Sequence, residues 1–178
     1  RLVVVAPARS GDMAEAVRQY FKKRNCTTYI VTITDETRQL SPDVWTCGRD
    51  DRDGFARCLE EVGEMDGFVL LSDYEASPEL EGTDWRRSGQ EHETQLLRLV
   101  QTLDHLGSNG IVQGYVLRLI DEKCGNPHGG GLAGLTYAIA QGSHRFAMRN
   151  LEVSVLDLMD ADSRDLVFDA MWRAARCR

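Results

Sequence analysis

An α/β domain built on one parallel sheet, with helices on both faces, is the fold class this sequence predicts. Three observations predict it. Short apolar, β-branched runs recur along all 178 residues, and stretches of helical periodicity lie between them. The turns joining them are mostly short and carry Gly, Pro or Asp. Runs such as Leu2–Ala6 (LVVVA) are apolar at every position, as strands covered on both faces must be. Right-handed crossovers between such strands give a doubly wound, Rossmann-like sheet. The length fits a single domain over residues 1–178, long enough to bury about 70% of its unfolded surface without a disulfide or metal.

After Leu2–Ala6, a helix is expected with Asp12 at its cap. Its inner side is Ala14, Val17 and Phe21, and its outer side Gln19, Lys22 and Lys23. Tyr29–Thr34 (YIVTIT) predicts a second strand. Asp53–Val62 predicts a short helix with Phe55 and Leu59 inward and Gly63 ending it. Gly67–Ser72 (GFVLLS) predicts a buried strand, and the polar stretch Asp73–Gln90 a long loop. A long helix is expected over Glu91–Leu106 on the Leu96, Val100, Leu103 stripe, then a strand over Val112–Ile120. A glycine cluster then leads into a helix from Leu132, followed by a strand over Leu151–Leu158 and a helix over Ser163–Arg176.

Composition removes several function classes. The net charge of −7, from 21 Lys+Arg against 28 Asp+Glu, opposes a phosphate-backbone partner, so no nucleic acid is expected. No apolar run approaches the ~20 residues of a membrane span, and no secretory leader pattern opens the chain. Cys26, Cys47, Cys58, Cys124 and Cys177 are odd in number and contain no C-x-x-C, which suits a reducing, cytoplasmic setting and argues against a zinc site. His92, His105, His128 and His144 form no metal-binding pair, so no metal is expected.

The first strand–turn–helix has the layout of a dinucleotide site. Such sites use three glycines so that backbone N–H groups reach the pyrophosphate. Here the turn is Ala6-Pro7-Ala8-Arg9-Ser10-Gly11. Pro7 has no N–H to donate, and the side chains of Ala8 and Arg9 crowd the approach. Arg9, Ser10 and Gly11 are the only cofactor-binding candidates, with the helix N-terminus behind them. Asp35 and Glu36 end the second strand, where an acid can hold a ribose hydroxyl. The cluster Gly125–Gly131 could form an anion nest or simply turn the chain. Reductase chemistry on this fold needs Tyr and Lys four residues apart on one helix. None of Tyr20, Tyr29, Tyr74, Tyr115 and Tyr137 has that lysine; Lys22, Lys23 and Lys123 are the whole supply. No G-x-S-x-G elbow or phosphate loop is present, so no catalytic residue is assigned.

A fold of this kind without site or glycine turn resembles the N-terminal structural subdomain of the ketoreductase in modular type I polyketide synthases. The resemblance runs in order from about Leu2 to Leu158. It is carried by LVVVAP, YIVTI, DRDGFARCLEEVGEMDGFVLLSD, ETQLLRLVQTLDHLG with VQGYVLRLI, and above all GGGLAGLTYAIAQGSHRFAMRNLEVSVLDL. Ala133 stands where the family often has an aromatic, and Trp45–Asp51 (WTCGRDD) has no counterpart. The resemblance implies a truncated Rossmann fold that binds no NADPH itself and supports an adjoining catalytic subdomain that does. It implies as partners that catalytic ketoreductase subdomain or another synthase domain. Two other readings stay open. One is a small enzyme or ligand-binding domain using the crevice at the strand ends, where Arg9, Ser10, Asp73 and Gly129–Gly131 would converge. The other is an inactive ketoreductase remnant that scaffolds a neighbouring domain.

Overall fold

A computed structural model of the chain describes residues 1–72, 84–107, 110–120 and 129–176, with side chains excepted at 84–89, 129 and 174–176. Seven strands form one sheet in the order β3-β4-β2-β1-β5-β6-β7. They are β1 (Leu2–Pro7), β2 (Thr28–Thr34), β3 (Arg38–Ser41), β4 (Val44–Gly48), β5 (Gly67–Leu71), β6 (Val112–Ile120) and β7 (Phe146–Ser154). All neighbours are parallel except β3 on β4. With β3 set aside, the remaining six strands follow the common doubly wound order 3-2-1-4-5-6.

Two apolar layers hold the helices to the sheet. On one face, Ala14, Val17, Tyr20 and Phe21 of α1 (Gly11–Lys22) and Phe168 and Met171 of α6 (Ala161–Arg176) cover Val4, Val69 and Leu117. On the other, Phe55 and Leu59 of α2 (Arg52–Val62) and Leu96, Leu99 and Leu103 of α3 (Asp84–Leu106) cover Val3, Val5, Phe68 and Leu70. Leu132 of α4 (Gly129–Gly142) joins that second layer. Burial on both sides explains why β1 and β5 are apolar throughout.

The shortening of the fold falls on one crossover. No helix joins β2 to β4; the antiparallel strand β3 takes its place. Strand β2 alternates accordingly. Val31 and Ile33 are buried on the α2/α3 side; on the other, Ile30 is buried in the α1 layer while Thr32 and Thr34, further along the strand, are half-buried. Strands β3 and β4 were not expected from the sequence. WTCG is short and mixes polar with apolar side chains, so it carries little periodic signal. The stretch without a family counterpart, Trp45–Asp51, is most of β4, which lies between β3 and β2, and the turn after it.

Several boundaries differ from expectation. Helix α1 begins at Gly11 after a 3₁₀ turn at Ala8–Ser10, so Ser10 occupies the cap and Asp12 lies in the first turn, favourably placed for the helix dipole. Helix α2 is capped by Asp51, whose carboxylate accepts from Gly54 N at 2.8 Å, and Gly63 ends it at φ 74° as expected. Helix α3 starts at Asp84, so the second part of the expected loop is helical; residues 73–83 lie outside the described residues. Helix α4 starts at Gly129, three residues early, because its glycines adopt the helix. At Gly131 a Cβ would collide with the Glu93 carboxylate on α3. Strand β7 runs over Phe146–Ser154, not Leu151–Leu158. Its pairing with β6 starts at Val112↔Phe146, and Ser154 then caps the short helix α5 (Val155–Met159) by accepting from Leu156 N at 3.2 Å. Helix α6 starts two residues early, with Asp160 accepting from Ser163 N at 2.8 Å.

Candidate functional site

The carboxyl ends of the parallel strands form the crevice where this sheet type holds ligands. Arg9, Ser10 and Gly11 come together there, between β1 and α1. The turn is a single 3₁₀ turn in which Gly11 N–H donates to Ala8 O, so that amide is spent within the turn. Gly11 has φ −58° and ψ −43°, ordinary helical values, and a Cβ there would meet nothing within 4 Å. Neither backbone freedom nor close approach is being used at this glycine. Ser10 is buried and its side chain makes no cap bond. Pro7, in β1, offers no N–H. These residues do not fit a dinucleotide pyrophosphate by the usual amide cradle.

Asp35, the residue at the ribose position, is exposed. Asp35 pairs with Arg49 at 3.6 Å, and Arg49 reaches Glu91 at 3.0 Å. Arg98 donates to the Arg49 carbonyl. Beside them, Thr37 donates to Asp51 at 2.6 Å and accepts from Gly48 N at 2.9 Å. The Thr37 hydroxyl first, then the Gly54 amide, hold the Asp51 carboxyl below its ordinary range. Burial pushes the Cys47 thiol up and the Cys58 thiol to about 11, so neither is a thiolate nucleophile near neutrality. The Thr37–Asp51 network and the Arg49–Glu91 pair escaped sequence reasoning, because their members lie on β-turns and on α3, far apart in the chain. Asp35 and Thr37 precede β3 while Arg49 and Asp51 follow β4, so only the β3–β4 hairpin brings them together.

The remaining candidates lie on other elements or outside the described residues. Gly129–Gly131 opens α4, after β6, and two inter-strand steps, about 10 Å, separate β6 from β1. Asp73, Gly125 and His128 lie outside the described residues. Arg118, buried near the end of β6, pairs with Glu152 on β7; it was not singled out from the sequence. Its burial lowers its pKa, yet a guanidinium remains charged. Among the described residues no group of three or more His, Cys, Asp or Glu is placed to hold a metal, and no helix is long and apolar enough to cross a membrane.

One surface is unusual. Helix α4 (GGGLAGLTYAIAQG) carries no charged residue. Gly130, Gly134, Ala138 and Gln141 are exposed along one stripe, and Tyr137 beside them is 68% exposed. A helix this apolar on all sides is ordinarily covered on all sides. Cβ atoms at Gly130 and Gly134 would meet nothing within 4 Å, so nothing in the described chain requires glycine there.

No family model matches the sequence, and no curated protein matches it. Solved structures do. A multidomain structure of adenylation, ketoreductase and pseudo-Asub domains from a keto acid-selecting NRPS module is similar at TM-score 0.78 and 13% identity, over 95% of this chain and 15% of that one. An N-terminal ketoreductase from the macrolactin assembly line is similar at TM-score 0.74 and 10% identity, over 96% of this chain and 36% of that one. A mutant of the Serratia marcescens short-chain dehydrogenase/reductase is similar at TM-score 0.63 and 14% identity, over 97% of this chain and 88% of that one. This chain thus spans a small part of the assembly-line proteins it resembles. At these identities the likeness shows the fold: a Rossmann-like sheet of the kind found in short-chain reductases and in ketoreductase regions of synthase modules.

Proposed function

We propose that this chain is a non-catalytic structural subdomain of a polyketide synthase ketoreductase. In this reading it packs against and supports a catalytic ketoreductase subdomain, or a neighbouring synthase domain, through the exposed face of α4. The observation that carries the reading is the uncharged α4 with open glycines at 130 and 134. Each glycine in a helix interior forgoes about 0.8–1.0 kcal/mol relative to alanine. Small residues at that spacing let a partner helix or loop approach the backbone closely, and Tyr137 supplies an amphipathic anchor.

The crevice supports the non-catalytic half of the reading. Pro7 has no N–H to donate and the Gly11 amide is bonded to Ala8 O, so two donors of the usual phosphate cradle are not offered. NADPH then belongs to the adjoining catalytic subdomain, not to this chain. The test is a pull-down between this chain and a catalytic ketoreductase subdomain from the same synthase. Gly134→Glu is expected to weaken the association at least about tenfold, a loss of about 1.4 kcal/mol, while leaving the isolated chain folded. An association unaffected by that charge would remove α4 from the interface.

A further inference from the structure

Exposed apolar side chains concentrate on the last two helices. Seven large ones are exposed among the described residues, and three of them are Leu156 (62%), Met159 (74%) and Leu166 (70%). These fall on α5 and the first two turns of α6, which is denser than the single apolar groups scattered over an ordinary surface. Neither helix uses them for its own packing. Leu158 is the buried residue of α5, and α6 reaches the core through Phe168 and Met171.

The same stretch is strongly acidic. Residues 155–166 carry the exposed Asp157, Asp160, Asp162 and Asp165, with Arg164 as the one base. Four aspartates against one arginine give −3 of the chain's −7. On α5 the two kinds of side chain run in rows. Leu156 and Met159 are three residues apart, and so are Asp157 and Asp160. Asp160 accepts from Ser163 N at 2.8 Å, and that backbone amide holds its carboxyl below the usual carboxylate range, so it stays anionic. On α6, Asp162 and Leu166 are four residues apart and extend the same alternation.

This chemistry selects one kind of partner. The corner is helical, so it offers no strand edge, only side chains in rows three and four residues apart. A partner helix presents its own side chains at that spacing. The aspartates call for lysine or arginine beside its apolar row. They repel anionic lipid and nucleic-acid phosphate, and a second copy of the chain would bring a further net −7.

We infer that the α5–α6 corner docks a cationic amphipathic helix of another polypeptide, whose apolar row covers Leu156, Met159 and Leu166 and whose basic side chains face the four aspartates. Apolar contact supplies the affinity, and the aspartates select the partner's charge and speed its approach. Helices α5 and α6 pack on the sheet face that carries Val4, Val69 and Leu117, whereas α4 packs on the opposite one. The inference therefore stands apart from the role given to α4.

The probe is a synthetic helix of about 18 residues, with leucine at i, i+3, i+4 and i+7 and lysine elsewhere. Its controls are the same pattern with glutamate for lysine, and the same composition in scrambled order. NMR titration of the whole chain follows the methyl resonances of Leu156, Met159 and Leu166. The lysine peptide is expected to shift them saturably and to bind at least about tenfold more tightly than either control. Leu156→Ser with Met159→Ser, and separately Asp157→Asn with Asp165→Asn, should each weaken binding at least about tenfold. All four positions are exposed, so the fold is retained. Should the serine pair fail to fold, the asparagine pair and the native methyl shifts decide. No saturable shift at about 1 mM peptide would overturn the inference. So would shifts confined to other methyls, or a control peptide that binds equally well. Affinity that survives the serine pair would overturn it too, since charge attraction alone would then account for binding. A dimer of the unliganded chain sealed at this corner would do the same, its occupant being a second copy.

Discussion

Gly54 shows how one missing side chain holds a turn together. A Cβ there would overlap the Asp51 carboxylate and the Thr37 methyl, the two groups that fix the β4–α2 junction. Gly54→Ala is expected to destabilise the chain by about 1–3 kcal/mol, read as a lower urea midpoint with unchanged slope. Asp51 offers a second reading of the same junction. Its folded pKa is depressed, so its contribution is complete above the unfolded carboxylate range and is lost as pH falls through the folded value. Thr37→Val removes the largest cause of that depression. The Asp51 midpoint in an NMR titration should then rise towards about 3.9. Gly134 is the opposite case to Gly54. Its Cβ would stand in open space, so Gly134→Ala is expected to stabilise the isolated chain by about 0.5–1 kcal/mol. A destabilised Gly134→Ala chain would mean that the glycine serves the domain itself and not a partner. None of these three roles is written in the sequence, where all three residues sit in polar or glycine-bearing stretches, and only the fold brings their neighbours to them.

Among the elements, legibility followed the length and continuity of the apolar runs. Strands β1, β5 and β6 are covered on both faces, and their continuous apolar runs located them nearly to the residue. Strand β3 is an exposed edge that needs no apolar side chain, and β4, though buried, is five residues long and mixes Thr, Cys and Gly with Val and Trp, so neither left a periodic pattern to read. Strand β7 was misplaced by five residues at its start because Arg149 and Asn150 interrupt its apolar character; its register is imposed by β6. Helix α3 was read seven residues short, since its first two turns are polar. Its other end is secured by a residue from the α4–β7 connection. Arg145 donates to the Leu103 carbonyl at 2.7 Å and to the Asp104 carboxylate at 2.9 Å, satisfying groups that the helix end leaves open. Arg145→Ala is expected to lower stability by about 1–2 kcal/mol and to speed amide exchange in the last turn of α3 before any other helix.

For the molecule as a whole, the doubly wound order survives even though one crossover helix is replaced by a strand. The two layers meeting on β1 and β5 carry the fold, and truncating Phe68, which is fully buried between β5 and the α2/α3 layer, should cost about 3–5 kcal/mol in urea unfolding. The candidate site was legible in part. The strand–turn–helix that brings Arg9, Ser10 and Gly11 together was legible, whereas the 3₁₀ turn that spends the Gly11 amide on Ala8 O was not. The Arg49 pair with Asp35 could not be foreseen without the β3–β4 hairpin that brings them together. What remains is a Rossmann-like sheet whose first turn spends its Gly11 amide internally and whose uncharged helix α4 has an exposed face. Isothermal titration of the purified chain with NADPH tests that account most directly. The account predicts no saturable heat up to about 1 mM cofactor; a dissociation constant of about 10 μM or tighter would contradict it.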